Sequence, residues 1–168
     1  MKTSRPLVER LIVESNRLTR IAALATGTTT PAAIWRTLSI LSSDGSMRIG
    51  DLARASRVTQ PTMTKLVQSL AEDDLILRIA DVDDSRAWLI AATPKGLSAL
   101  DAWRVELGEA LQPMFADLTP NETETLEKAM VILESRTALA SRIAQTAHTA
   151  QTAQTAQTAQ TAQTRKVA

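Results

Sequence analysis

Ile49-Gly50-Asp51-Leu52-Ala53-Arg54-Ala55-Ser56-Arg57-Val58-Thr59-Gln60-Pro61-Thr62-Met63-Thr64-Lys65-Leu66-Val67-Gln68-Ser69-Leu70 is the stretch that decides how this chain folds. Its first part sets Ile49, Leu52 and Ala53 on one side of a short helix ending near Ser56. Arg57-Val58 makes a tight connection, and Thr59 caps a second helix. In that helix Met63, Leu66, Val67 and Leu70 stand at i, i+3, i+4 and i+7, the spacing of one buried face. Gln60, Thr64, Lys65 and Gln68 are left on the opposite face, which is polar and nearly free of acids. Two short helices across a turn, the second with an uncharged or basic outer face, form the arrangement that places the second helix in a DNA major groove.

Outward from this core the pattern stays regular. Leu75 to Ala80 and Ala87 to Ala92 are short apolar runs separated by Asp81-Val82-Asp83-Asp84-Ser85-Arg86, which reads as a two-stranded hairpin, the wing. Upstream, Leu7, Leu11, Leu18, Ile21 and Ala25 form the stripe of a first helix that also carries Arg5, Arg10, Arg17 and Arg20. Thr30-Pro31 predicts the N-cap and first position of a second helix, with Ile34, Leu38 and Leu41 buried and a stop near Asp44-Gly45. Downstream, Thr93-Pro94 opens a long helix with Leu97, Leu100, Trp103 or Arg104, Leu107 and Leu111 along one side, disturbed around Pro113. Thr119-Pro120-Asn121-Glu122 is a capping box before a last helix with Leu126, Met130, Leu133, Thr137 and Ala140 inward. The expected fold is mainly α with a small β-hairpin wing, an α+β winged helix-turn-helix of six helices.

At 168 residues the chain holds one domain. Residues 1–143 form it, with 46–93 as the winged helix-turn-helix and 4–26 and 94–143 as dimerisation helices. Residues 144–168 are a low-complexity tail in which Ala-Gln-Thr repeats, His148 once replacing Gln. A period of three drifts against the 3.6 of a helix, so disorder or a frayed helical extension is expected there, not a packed element. Apolar stripes on the first and last helices exceed what one compact helical centre covers, which predicts a homodimer formed by these helices.

Composition narrows the function classes. The chain is 44% hydrophobic and 22% charged, and no run approaches the roughly 18 apolar residues of a membrane span. Glu9 and Glu14 interrupt the apolar positions near the amino terminus, so no signal-peptide core is read and a cytoplasmic location is expected. With no cysteine there is neither a disulfide nor a thiol switch. Net charge is only +1, but its distribution is uneven. Arg48, Arg54, Arg57 and Lys65 face one acid, Asp51, between Met47 and Lys65, while acids crowd Leu97 to Leu139. The first segment suits phosphate.

The strings Ile49 to Ala53, Val58 to Leu70 and Leu75-Ile76-Leu77-Arg78, with Asp84-Ser85-Arg86 and Thr93-Pro94-Lys95-Gly96, together resemble the MarR family of winged-helix regulators. The likeness covers residues 49–96. It departs from the family at Asp74, where glycine is frequent, and at Ala92, where leucine usually precedes the threonine. The resemblance implies a repressor, less often an activator, whose affinity for double-stranded DNA is lowered by a small aromatic or phenolic effector. It makes Arg86 the minor-groove arginine of the wing, with Asp84 placed to hold its guanidinium.

On residue chemistry, Thr59, Gln60, Thr62, Thr64 and Gln68 offer hydroxyls and amides to base edges or phosphates, and Lys65 offers a charge. Pro61 and the threonine methyls suit thymine methyls. Arg48, Arg54 and Arg57 suit the backbone, and Arg78 braces the wing. Glu72, Asp73 and Asp74 make the far end of the recognition helix acidic, so its amino-terminal end should face the groove. Asp81, Asp83 and Asp84 lack the glycine and glutamate of a calcium loop and read as a solvated turn. Trp35, Trp88 and Trp103 read as core, with an effector pocket at Trp35 and Trp103 as the lesser reading. The only histidine lies in the tail, and no phosphate loop or nucleophile elbow is present, so no enzyme, cofactor or metal site is expected. The alternative function is a winged-helix protein-interaction module without specific DNA binding.

Overall fold

The computed structural model describes residues 5–81 and 87–167 and divides into two units, 1–117 and 118–168. In the first unit α1 (Arg5–Ala25) and α2 (Ala32–Asp44) precede β1 (Met47–Arg48), α3 (Ile49–Ala55) and α4 (Gln60–Glu72). The wing strands β2 (Ile76–Ala80) and β3 (Trp88–Ala92) follow, then α5 (Pro94–Leu111), which ends in a 3-10 turn over Gln112–Phe115. The second unit holds α6 (Pro120–Val167).

Six helices stand where the periodicity placed them. Thr59 caps α4, its hydroxyl accepting from the Thr62 amide at 3.4 Å, and Thr93 caps α5 in the same way, accepting from the Gly96 amide at 3.0 Å. The start of α2 is displaced by one residue. Pro31 is its N-cap, extended at ψ 133° and with no side-chain cap bond, and Thr30 lies outside the helix.

The expected two-stranded hairpin is one strand short. The sheet is three-stranded and antiparallel in the order β1-β3-β2, with Met47 opposite Ile90 and Arg48 opposite Leu89. A two-residue strand carries no alternation to detect; it forms because β3 has a second edge whose N–H and C=O groups need partners. The register Ile76↔Ala92 through Ala80↔Trp88 sends alternate residues inward, and Ile76 and Ile90 are accordingly buried.

The core of the first unit joins Leu38 and Leu41 of α2, Leu52 and Ala53 of α3, and Met63, Val67 and Leu70 of α4 to Ile76, Ile90 and Leu100. Trp88, read as core in the sequence, is 57% exposed. It pairs with Ala80 at the open end of the strands, beyond the reach of the core below Ile90.

α6 begins with the capping box: Thr119 N–H and Oγ1 both donate to Glu122 Oε2, at 2.9 and 2.6 Å, and the Glu122 amide lies 3.4 Å from Thr119 Oγ1. These bonds hold the Glu122 carboxyl below its ordinary pKa. The helix then runs on through the Ala-Gln-Thr repeat to Val167. Leu126 and Met130, read as inward, are 45% and 52% exposed in the single chain.

Candidate nucleic-acid interface

The turn between α3 and α4 is built by backbone geometry alone. Arg57 takes φ 55°, its N–H reaching Arg54 O at 3.1 Å while Val58 N–H reaches Ala53 O at 3.0 Å. This is the paired 5→2 and 6→1 closure of a Schellman motif, with Val58 packed against the core as its apolar lock. The reversal fixes α4 against α3 and leaves its far side open.

That far side carries the predicted contact residues. Thr59, Gln60, Pro61, Thr62, Thr64, Lys65 and Gln68 are all exposed, whereas Met63, Val67 and Leu70 on the inner face show 0% exposure. Local hydrogen bonds define which polar atoms remain for a partner. Thr64 Oγ1 donates to Gln60 O at 2.9 Å, so its lone pairs point outward as acceptors. The Thr59 and Thr62 hydroxyls lie 2.8 Å apart, and Gln68 Nε2 donates to Glu72 Oε1 at 3.2 Å. That bond uses one of the two Nε2 hydrogens and leaves the other, together with the Gln68 carbonyl oxygen, for a base edge.

Between the amino-terminal end of α4, α3 and the wing lies a cleft of about 750 Å³. Gln60 and Thr64 meet Arg48, Arg54, Arg78 and Trp88 on its walls. The acidic end of α4, at Glu72 to Asp74, lies at the other end of the helix, so the end named from charge is the one beside the arginines.

Each cation has a definite setting. Arg48 Nε and Nη2 lie 2.8 and 2.6 Å from Oδ2 of Asp81, a carboxylate buried at the end of β2. Arg48 thus ties β1 to the loop end of β2 while its side chain stays 42% exposed. Arg54 pairs with Asp51 one turn earlier on α3. Arg57 and Lys65 are exposed and form no ion pair among the described residues. Asp84 and Arg86, the wing-tip pair, lie outside the described residues.

Asp81 is the residue that sequence reasoning missed. It was read as part of a solvated turn, but it is a buried partner for an arginine 33 residues earlier in the chain. Arg78 stands on the wall of the cleft, and no sequence signal distinguished that place from a bracing role within the wing.

Away from this face, Trp35 of α2 and Trp103 of α5 stack with ring centroids 5.0 Å apart and planes 8° from parallel. Both pack against the core, and both indole N–H groups are buried without a hydrogen-bond partner among the described residues. Nearby, Arg104 of α5 pairs with Asp101 and reaches Ser39 of α2 at 3.4 Å.

A short helix, a closed turn, a second helix with an open polar face and a flanking wing define a winged helix-turn-helix. Residues 31–88 match the MarR family model. It is 27% identical over 107 residues to the homoprotocatechuate degradative operon repressor of Escherichia coli, spanning 64% of this chain and 70% of the relative. A helix-turn-helix transcriptional regulator of Mycobacterium tuberculosis is 32% identical over 92 residues, 55% of this chain and 64% of the relative. Among solved structures, a transcriptional regulator from Thermotoga maritima superposes with a TM-score of 0.63 at 22% identity, over 79% of this chain and 94% of that one. A MarR mutant from Escherichia coli gives 0.61 at 18%, over 79% and 98%. These two likenesses establish the shared fold.

Proposed function

We propose that this chain is a ligand-responsive repressor that binds a two-fold operator as a homodimer, with α4 in the major groove and Arg86 in the minor groove. The observation that carries this reading is the division of α4 into a fully buried apolar face and an exposed polar face whose amino-terminal half opens beside three arginines. Duplex DNA supplies what such a face lacks: acceptors and donors on base edges flanked by phosphates. Arg48, Arg54, Arg57 and Lys65 serve the backbone; Thr59, Gln60, Pro61, Thr62, Thr64 and Gln68 serve the bases. Asp84 steadies Arg86 at the wing tip. The activity is binding, not catalysis, and it is exercised in the cytoplasm, where the DNA is. Among the described residues no helix is long and apolar enough to cross a membrane.

Uncovered apolar surface supports a second copy. Leu7, Val8, Ile12 and Val13 of α1 are 48–60% exposed, and Leu126, Met130, Val131 and Ile132 of α6 are 45–64% exposed. A dimer built on these helices sets two recognition helices on half-sites about 34 Å apart. The tail, 144–168, is dispensable for operator binding, with Arg165 and Lys166 adding at most weak phosphate attraction.

For the effector the proposed site is the stacked pair Trp35 and Trp103. A buried N–H without a partner costs about 1–3 kcal/mol, and two such donors on one stacked indole pair favour an occupant with an acceptor oxygen. An aromatic acid supplies that oxygen and a ring, and the relative named for a homoprotocatechuate degradative operon supports this class. Such a ligand acts only by favouring one spacing of the recognition helices over another.

Selection of bound sequences from random duplex DNA tests the reading. A two-fold consensus with half-sites one helical turn apart is expected. Recovery of no enriched sequence contradicts it and leaves a protein-binding winged helix.

A further inference from the structure

Three consecutive carbonyls close the end of α4, and all three are taken by the first turn of α5. Lys95 Nζ donates to Asp73 O at 2.7 Å, Thr93 Oγ1 donates to Asp74 O at 2.7 Å, and Thr93 N–H donates to Leu75 O at 3.0 Å. Gly96 completes the contact. A Cβ on it would stand 2.1 Å from Leu75 O and 2.9 Å from Leu75 C, so the helix start lies directly on the backbone behind α4. Thr93, Lys95 and Gly96 thus each contribute a separate part of one joint.

We propose that this joint sets the tilt of the recognition helix, and that Lys95 and Thr93 are positioning residues for operator binding. The proposal rests on the homodimer reading above. Apolar packing of Met63, Val67 and Leu70 decides which face of α4 turns inward, but packing is non-directional and tolerates small rotations. Hydrogen bonds to three carbonyls are directional and fix the remaining freedom. Leverage makes this matter: from the joint to Gln60 is twelve residues, about 18 Å of helix, so a tilt of about 5° moves Gln60 by about 1.6 Å. That exceeds the roughly 0.5 Å tolerance of a preorganised contact. α5 also packs against α1 and α2, so the joint links the reading head to the helices proposed to carry the dimer and the effector.

The test uses the full-length protein and the duplex recovered by selection, with and without one base pair inserted between half-sites. An insertion turns one half-site by about 34°. Wild type should bind the altered duplex much more weakly. Lys95→Met and Thr93→Val should reduce that penalty at least threefold and lower affinity for the parent duplex about three- to tenfold, while Lys95→Arg and Thr93→Ser restore both. Thermal melts identify any variant that unfolds, and Lys95→Met, which removes one exposed donor, keeps the test sound if Thr93→Val does. If wild type shows the penalty and Lys95→Met keeps it in full, the joint does not set the tilt. If wild type shows no penalty, the two-half-site reading fails and takes this proposal with it.

Discussion

Asp74 holds φ 58° at the end of α4, closing a second Schellman motif in which its N–H reaches Ala71 O and Leu75 N–H reaches Leu70 O. This is the position where the resemblance to the MarR family leads one to expect glycine, and the backbone gives the reason: a left-handed conformation costs a Cβ-bearing residue about 1–2 kcal/mol, less for aspartate. The Asp74 carboxylate offers little in return, since its pairing with Lys95 at 3.9 Å is exposed on both sides. Asp74→Gly should therefore stabilise the domain by about 0.5–1 kcal/mol, after the glycine's larger loss of chain entropy. Thermal unfolding should rise by about 2–3 °C. Gly96→Ala should do the reverse and cost about 3 kcal/mol, because the clash is with backbone and neither side chain can swing away. A fall in melting temperature for Asp74→Gly, or a neutral Gly96→Ala, would show that the joint is looser than its geometry indicates.

At the scale of elements, what was legible depended on length and on local chemistry. α4 could be read from sequence because its apolar spacing, its Thr59 cap and its inner leucines agree over thirteen residues. β1 could not, since two residues have no period and pair only because β3 presents a free edge. Asp81 was missed for a related reason: its burial comes from Arg48, far away in the chain, and nothing beside it differs from a solvated acid. Trp88 was misplaced because an apolar run does not reveal where the core stops beneath it. The capping box of α6 was fully legible, being local, and it makes a pH prediction. Thr119 donates to the ionised Glu122 carboxylate, first through its hydroxyl and then through its amide, and lowers its pKa. A depressed folded pKa means that the stabilisation is complete above the ordinary carboxylate range and is lost as pH falls through the folded value. In an NMR titration Glu122 should have a lower midpoint than in Thr119→Ala, and amide protection in the first turn of α6 should decline with its protonation. Equal midpoints would mean that the box does not persist in solution.

At the scale of the whole chain, two kinds of exposed surface matter for function. Leucines, valines and isoleucines of α1 and α6 are exposed, and a second copy is proposed to cover them, whereas Arg54, Gln60, Thr64 and Arg78 meet at the cleft beside the first half of α4. The stripes were visible in the sequence as helical periods, but a period says only that a face is apolar, not whether its own chain or another covers it. The same holds for the reading face, where residue type and exposure were legible and the partner was inferred from chemistry. The most direct measurement of that central inference is a titration of the selected operator and of a scrambled duplex of equal length with wild type and Gln60→Ala. If α4 reads bases, Gln60→Ala should lose about 10- to 100-fold in affinity on the operator and almost nothing on the scrambled duplex, with the salt dependence on both unchanged. A variant that binds the operator as wild type does, or loses equally on both duplexes, would contradict the placement of this face in the major groove.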